Sequence, residues 1–189
     1  MMIKPFRVTF NAPVVLTCVL LCFGATLLGQ LSGGLVTETF FMTYRAPLDS
    51  PLTWLRLFTH TLGHAGWEHF IGNASYLLLL GPMLEEKHGP KKMVGVILAA
   101  ALIAGLVNSI LFPHTAVCGA SGVVFAFILM TSFTSFRKGE LPLTFILVAT
   151  FFIGQQIYEG IAVQDNVSNL SHILGGVTGA VIGYRSNKK

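Results

Sequence analysis

Apolar runs broken by short polar segments set the pattern of the chain. Six stretches are long enough to cross a bilayer, which takes roughly 20 mainly apolar residues. They are 13–35, 67–84, 93–112, 117–136, 141–158 and 167–184. The third and fourth are separated only by Pro113, His114, Thr115 and Ala116, which predicts a tight hairpin, and no charged residue occurs between Lys92 and Arg137. The first stretch follows Lys4 and Arg7, as a secretory signal would. No small-residue cleavage site comes after it and five more apolar stretches do, so a retained helix is expected. The longest connection, 36–66, is of a length that usually carries a function or its own structure. Neither an internal repeat nor a low-complexity segment is visible. The expected fold class is all-α: a polytopic bundle of six transmembrane helices, forming one membrane-embedded domain over 1–189 without a separate soluble domain.

Composition agrees with a lipid environment. Of 189 residues, 53% are hydrophobic and 11% charged, against about 25% charged in a soluble domain; the mean hydropathy is +0.71. The formal charge of +4 is spread over short clusters between apolar runs, which argues against a nucleic-acid partner. Those clusters instead orient the chain, because basic residues favour the cytoplasmic side. With the N-terminus inside, Lys4, Arg7, Lys87, Lys91, Lys92, Arg137, Lys138, Arg185, Lys188 and Lys189 fall on inner segments, and only Arg45 and Arg56 fall outside. Both termini are therefore expected in the cytoplasm. Cys18, Cys22 and Cys118 make an odd set with no disulfide framework; each is expected to act as a small apolar side chain. A lipoprotein reading through Cys18 or Cys22 lacks a convincing signal around either.

This topology places four polar residues at similar depth in the outer half of the bilayer. Ser121 opens the fourth stretch, His172 lies near the start of the sixth, and His69 and Asn73 lie near the start of the second. Polar groups there are expensive and tend to be functional. A serine hydroxyl becomes a nucleophile when a neutral histidine takes its proton, and the tetrahedral intermediate then needs donors aimed at its oxyanion. The N–H groups where a helix opens at Ser121 favour negative charge. His69 and Asn73 are spaced i,i+4 on one helix face and are candidates for further donors. Gly119 and Gly122 permit a sharp entry and close approach. Gly175 and Gly179 form a small-xxx-small pair that lets helices touch, bringing His172 towards Ser121.

Four motifs resemble those of the rhomboid family of intramembrane serine proteases. Trp54 and Arg56-Leu57-Phe58-Thr59-His60 resemble the Trp-Arg region of its outer loop, although Leu55 separates two residues that are commonly adjacent there. His69-Phe70-Ile71-Gly72-Asn73 is similar to its His-xxx-Asn motif, and Gly119-Ala120-Ser121-Gly122 to its Gly-x-Ser-Gly nucleophile motif. The run from His172 to Gly179 resembles the His-xx-Gly-xxx-Gly of its last core helix. The resemblance implies a Ser121–His172 dyad without an acidic third member, and an oxyanion hole formed by His69, Asn73 and the backbone at Ala120 and Ser121. Gly119, Gly122, Gly175 and Gly179 would support it. Phe125 matches an aromatic packed on the histidine, and Glu85 matches a structural acid at the inner end of the second span. It also implies transmembrane protein substrates and cleavage in or near their helices, with small residues favoured just before the cut. The protein is expected in a bacterial cytoplasmic membrane, with the site open to the outer side.

Other polar residues have plainer explanations. His60 and His64 are i,i+4, but no HExxH occurs and neither a metal nor a cofactor is expected. His64 is expected to bond loop backbone, His60 receives no assignment, and His88 and His114 are expected to be exposed. Tyr44, Trp54 and Trp67 are expected as interface anchors, and Glu159 and Asp165 as solvated loop charges. Two rival classes remain: a catalytically silent relative that binds membrane proteins, which would not need both Ser121 and His172, and a small transporter, which would often show a paired repeat.

Overall fold

The computed structural model describes residues 8–132, 140, 142–162 and 166–186. Lys4, Arg7, Arg137, Lys138, Lys188 and Lys189, which carry much of the orientation argument, lie outside the described residues, as do Asp165 and the Glu159 side chain. The described part is all-helical: α1 (Pro13–Leu31), α2 (Leu35–Phe40), α3 (Pro51–Thr59), α4 (Trp67–His88), α5 (Pro90–Leu111), α6 (Ser121–Ser132), α7 (Leu143–Ala162) and α8 (Asn166–Ser186). Each of the six apolar stretches holds one helix. Two of them, α1 and α5, are apolar and long enough to cross a membrane by length and composition alone.

Glycines set helix boundaries inside two of the apolar stretches. The first apolar stretch stops being helical at Leu31, because Gly33 and Gly34 take φ of +61° and +96°. The Gly34 N–H closes onto the Gly29 carbonyl at 2.8 Å, a left-handed ending that satisfies the last carbonyls of α1. The fourth stretch begins its helix at Ser121, as expected. Gly119, at φ +129°, keeps the preceding segment out of the helix, and Val117 exchanges backbone bonds with Thr43 at 2.9 and 3.0 Å.

Polar side chains bonded to backbone hold α1 and the long connection in place. Glu85, 4% exposed, accepts the Val14 and Val15 N–H groups at 3.0 Å each and so caps α1 from α4. Arg56 is buried; its Nε–H donates to the Thr39 carbonyl at 2.7 Å, and its guanidinium lies 4.6 Å from the Tyr44 ring centroid. Tyr44 is thus half-buried, with a cation over its ring. Trp54 and Trp67 keep substantial exposure. His114 is exposed, whereas His88 is half-buried, tucked in at the last residue of α4.

The core runs through the middle of the bundle. Val15 of α1, Leu77 and Leu84 of α4, Met93 and Val96 of α5, and Val123, Phe127 and Met130 of α6 form one buried cluster. Helix α8 packs chiefly on α6 and α5. On α8, a Cβ at Gly175 would collide with the Gly122 carbonyl oxygen, and one at Gly179 with that of Ala126. The two helices therefore meet backbone to backbone, as small residues four apart allow.

Candidate active site

Close approach of α6 and α8 places two polar side chains together. Ser121 is the first residue of α6, and His172 stands one turn before Gly175 on α8. Their Oγ and Nε2 atoms lie 2.8 Å apart. With the ring neutral and protonated on Nδ1, the hydroxyl donates to Nε2, the arrangement from which a base removes a serine proton. The Phe125 ring, one turn after Ser121, packs on the imidazole with centroids 4.6 Å apart, and both rings lie along the α6–α8 seam. Among the described residues no group of His, Cys, Asp and Glu could hold a metal ion.

The opposite wall comes from α4 and the segment leading to Ser121. A Cβ on Gly119 would fall 2.8 Å from Nε2 and Cε1 of His69 and 3.8 Å from Nδ2 of Asn73. Glycine is needed there twice over: for its positive φ, and for the space the His69 ring occupies. Asn73 is buried, and its Nδ2 donates one hydrogen to the His69 carbonyl at 3.2 Å, leaving the second amide hydrogen for another acceptor. A cavity of about 870 Å³ opens between these walls, lined in part by His69, Gly72, Asn73, Ser121, Gly122 and His172. Ala120 does not line it. Its side chain belongs to the core cluster, and its carbonyl accepts the Val123 and Val124 N–H groups at 2.9 Å each. The structure thus gathers Ser121, His172, His69, Asn73, Gly119, Gly122 and Phe125 around one space, with Gly175 and Gly179 behind it and Ala120 in the core.

Two supporting residues carried no assignment in the sequence. The His60 carbonyl accepts the Gly119 N–H at 2.9 Å, while its Nε2–H donates to the Ala101 carbonyl at 3.1 Å. His60 therefore ties the approach to Ser121 onto α5. Burial lowers its pKa, partly opposed by that bond, so the ring is held neutral. Asn108, fully buried in α5, donates from Nδ2 to Thr43 (3.2 Å) and Thr115 (3.0 Å), the two carbonyls that flank the Thr43–Val117 pairing. An asparagine inside an apolar helix was a visible signal; the pairing of residue 60 with residue 119 had none. His64 bonds loop backbone, Nδ1–H to the Leu62 carbonyl at 3.1 Å, and its ring stands edge-on to His69 with centroids 5.0 Å apart. Burial first, then the neighbouring His69, depress its pKa to about 4.

Residues 51–188 match the Rhomboid domain family. The chain is 34% identical to Rhomboid-related protein 2 of Mus musculus over 72% of its own length and 52% of that protein. It is 32% identical to Rhomboid-related protein 1 of Caenorhabditis elegans over 64% of its length and 36% of that protein. It is also 25% identical to Rhomboid protease GlpG of Haemophilus influenzae over 79% of its length and 78% of that protein. The chain thus spans about half, or less, of the mouse and nematode relatives. On the extent of these matches, the chain belongs to the rhomboid family, which is membrane-embedded.

Proposed function

We propose that this protein is an intramembrane serine endopeptidase, a bundle of six transmembrane helices in which Ser121 and His172 cleave peptide bonds in or near the transmembrane helices of other proteins. The observation that carries the reading is the 2.8 Å approach of Ser121 Oγ to His172 Nε2 inside a cavity that also holds candidate oxyanion donors. Similarity to a relative named as a protease supports it.

The steps follow from the positions of the groups. Ser121 Oγ attacks the scissile carbonyl carbon as His172 Nε2 takes its proton. The carbonyl oxygen becomes an oxyanion received by the Ser121 N–H, at the open end of α6, and by donors on His69 and Asn73. Collapse breaks the C–N bond, His172 returns its proton to the leaving amine, and an acyl-enzyme remains. Water then enters the cavity, gives a proton to His172 and a hydroxyl to the carbonyl carbon, and as the acyl C–O bond breaks His172 passes that proton to Ser121 Oγ. A helical substrate must unwind to present its carbonyl, because its backbone groups are paired within the helix. Segments with Gly, Ser or Pro near the cut unwind most readily. The small lining residues Gly72, Ala100, Ala104 and Gly122 suit a small side chain next to the bond. Under this reading the cavity opens to the outer side and both termini are cytoplasmic, in a bacterial cytoplasmic membrane.

The test is cleavage of a transmembrane reporter in liposomes by wild type and Ser121→Ala. Turnover that disappears in the variant is the expected result. A folded wild type that leaves the reporter intact would point instead to a relative that binds membrane proteins without cutting them.

A further inference from the structure

The cavity beside the dyad has one charged corner. Among its described lining residues the only Asp, Glu, Lys or Arg is Glu68. Glu68, Gly72 and Tyr76 recur at i,i+4 and so share the face of α4 that borders the cavity, with His69 and Asn73 beside them. Glu68 lies exposed in the first turn of α4, adjacent to His69, and Tyr76 lies about 12 Å further along the helix by its rise per residue. The lining also includes the apolar side chains of Ile128, Val148 and Phe151. Glu68 also suits the positive end of the α4 dipole, but that role would not require it to face the cavity. A carboxylate at the rim of an otherwise uncharged cleft focuses its field into the cleft and sorts incoming groups by sign.

We infer that Glu68 is a specificity-determining residue: it makes the site favour substrates with Lys or Arg within about two residues of the scissile bond on the water-facing side, and disfavour Asp or Glu there. The reach follows from its position next to His69, since each extended residue covers about 3.3 Å. This inference rests on the protease reading above.

Three reporters test it, identical except for Ala, Lys or Glu at the second residue on the water-facing side of the cut. Each is assayed with wild type, Glu68→Gln and Glu68→Lys, and kcat and KM are separated. Wild type is expected to prefer the Lys reporter over the Glu reporter about three- to tenfold in kcat/KM, mainly through KM, the range for a partly exposed charge pair. Glu68→Gln should remove most of that ratio and Glu68→Lys should reverse it, an inversion that a helix-dipole role would not produce. A Lys-to-Glu reporter ratio unchanged in both variants overturns the inference while leaving the protease reading intact. A wild type that cleaves none of the three overturns both.

Discussion

Two sides of the cavity are built in opposite ways. On the α6–α8 side, Gly122, Gly175 and Gly179 let two helix backbones touch, and Ser121 and His172 are carried into hydrogen-bond distance by that contact. On the α4 and loop side, backbone is held by separate polar bonds: the His60 carbonyl holds Gly119 while its ring bonds Ala101, Asn108 pins Thr43 and Thr115, and Arg56 pins Thr39. The first side has no slack, because any added carbon meets a carbonyl. The second is a set of separate bonds, each of which fails on its own. Rigid backbone contact therefore positions the reacting pair, while replaceable polar pins shape the wall that receives the substrate.

Substitutions that load each side separately would break or sharpen this contrast. The largest effect is expected from Gly175→Val, whose side chain must push α8 away from α6. Overpacking of this kind costs about 2–3 kcal/mol, and a shift of about 1 Å between nucleophile and base lowers turnover about a hundredfold. Thermal unfolding in detergent and reporter cleavage measure the two effects. A variant of normal stability and activity would show that the seam is looser than its geometry. Next comes Asn108→Ala, which removes the side-chain donor from the Thr115 carbonyl and the second donor from the Thr43 carbonyl, which keeps the Val117 N–H, and should destabilise by about 1–2 kcal/mol. Activity should fall more gently than in Gly175→Val at equal loss of stability, because the dyad distance is set elsewhere.

A smaller effect is expected for Glu85→Ala, which uncaps α1 at a cost of about 1–2 kcal/mol. Its turnover per folded molecule should stay close to that of wild type, since Glu85 lies two turns or more beyond the cavity-lining part of α4; a large drop in kcat would tie α1 to the site. The effect that is smallest at neutral pH is one that appears only on acidification. His64 is depressed to about 4 in the folded protein from an ordinary 6.5, so the unfolded chain binds more protons between those values. Stability should therefore decline as pH falls from about 6.5 towards 4. Melting temperatures across that window should fall less steeply in His64→Asn than in wild type. An unaltered slope would assign the titration to other groups.

The contrast also explains what could be read in advance. Seam geometry leaves a mark in sequence, because contact at every fourth residue demands Gly175 and Gly179 at that spacing, and the hydroxyl and imidazole must then stand at fixed offsets from it. The pins leave almost none. His60 acts through its carbonyl and one ring nitrogen on residues 119 and 101, distances along the chain that no local spacing encodes. Nor does any local spacing pair Tyr44 with Arg56, which lies above its ring. Backbone conformation sets helix ends inside two of the apolar stretches, where Gly33, Gly34 and Gly119 hold positive φ. The Ala120 side chain packs into the core, so any part it has in the site is through its backbone.

The central claim is that His172 makes Ser121 a nucleophile, and the most direct measurement is covalent labelling of Ser121 by a fluorophosphonate in liposomes. Wild type should be labelled on Ser121, and His172→Ala should lose at least about a thousandfold in labelling rate while keeping its unfolding temperature, as expected when the base of a nucleophile–base pair is removed. Equal labelling rates in wild type and His172→Ala would contradict the claim, for the 2.8 Å contact would then be a hydrogen bond without a part in activation.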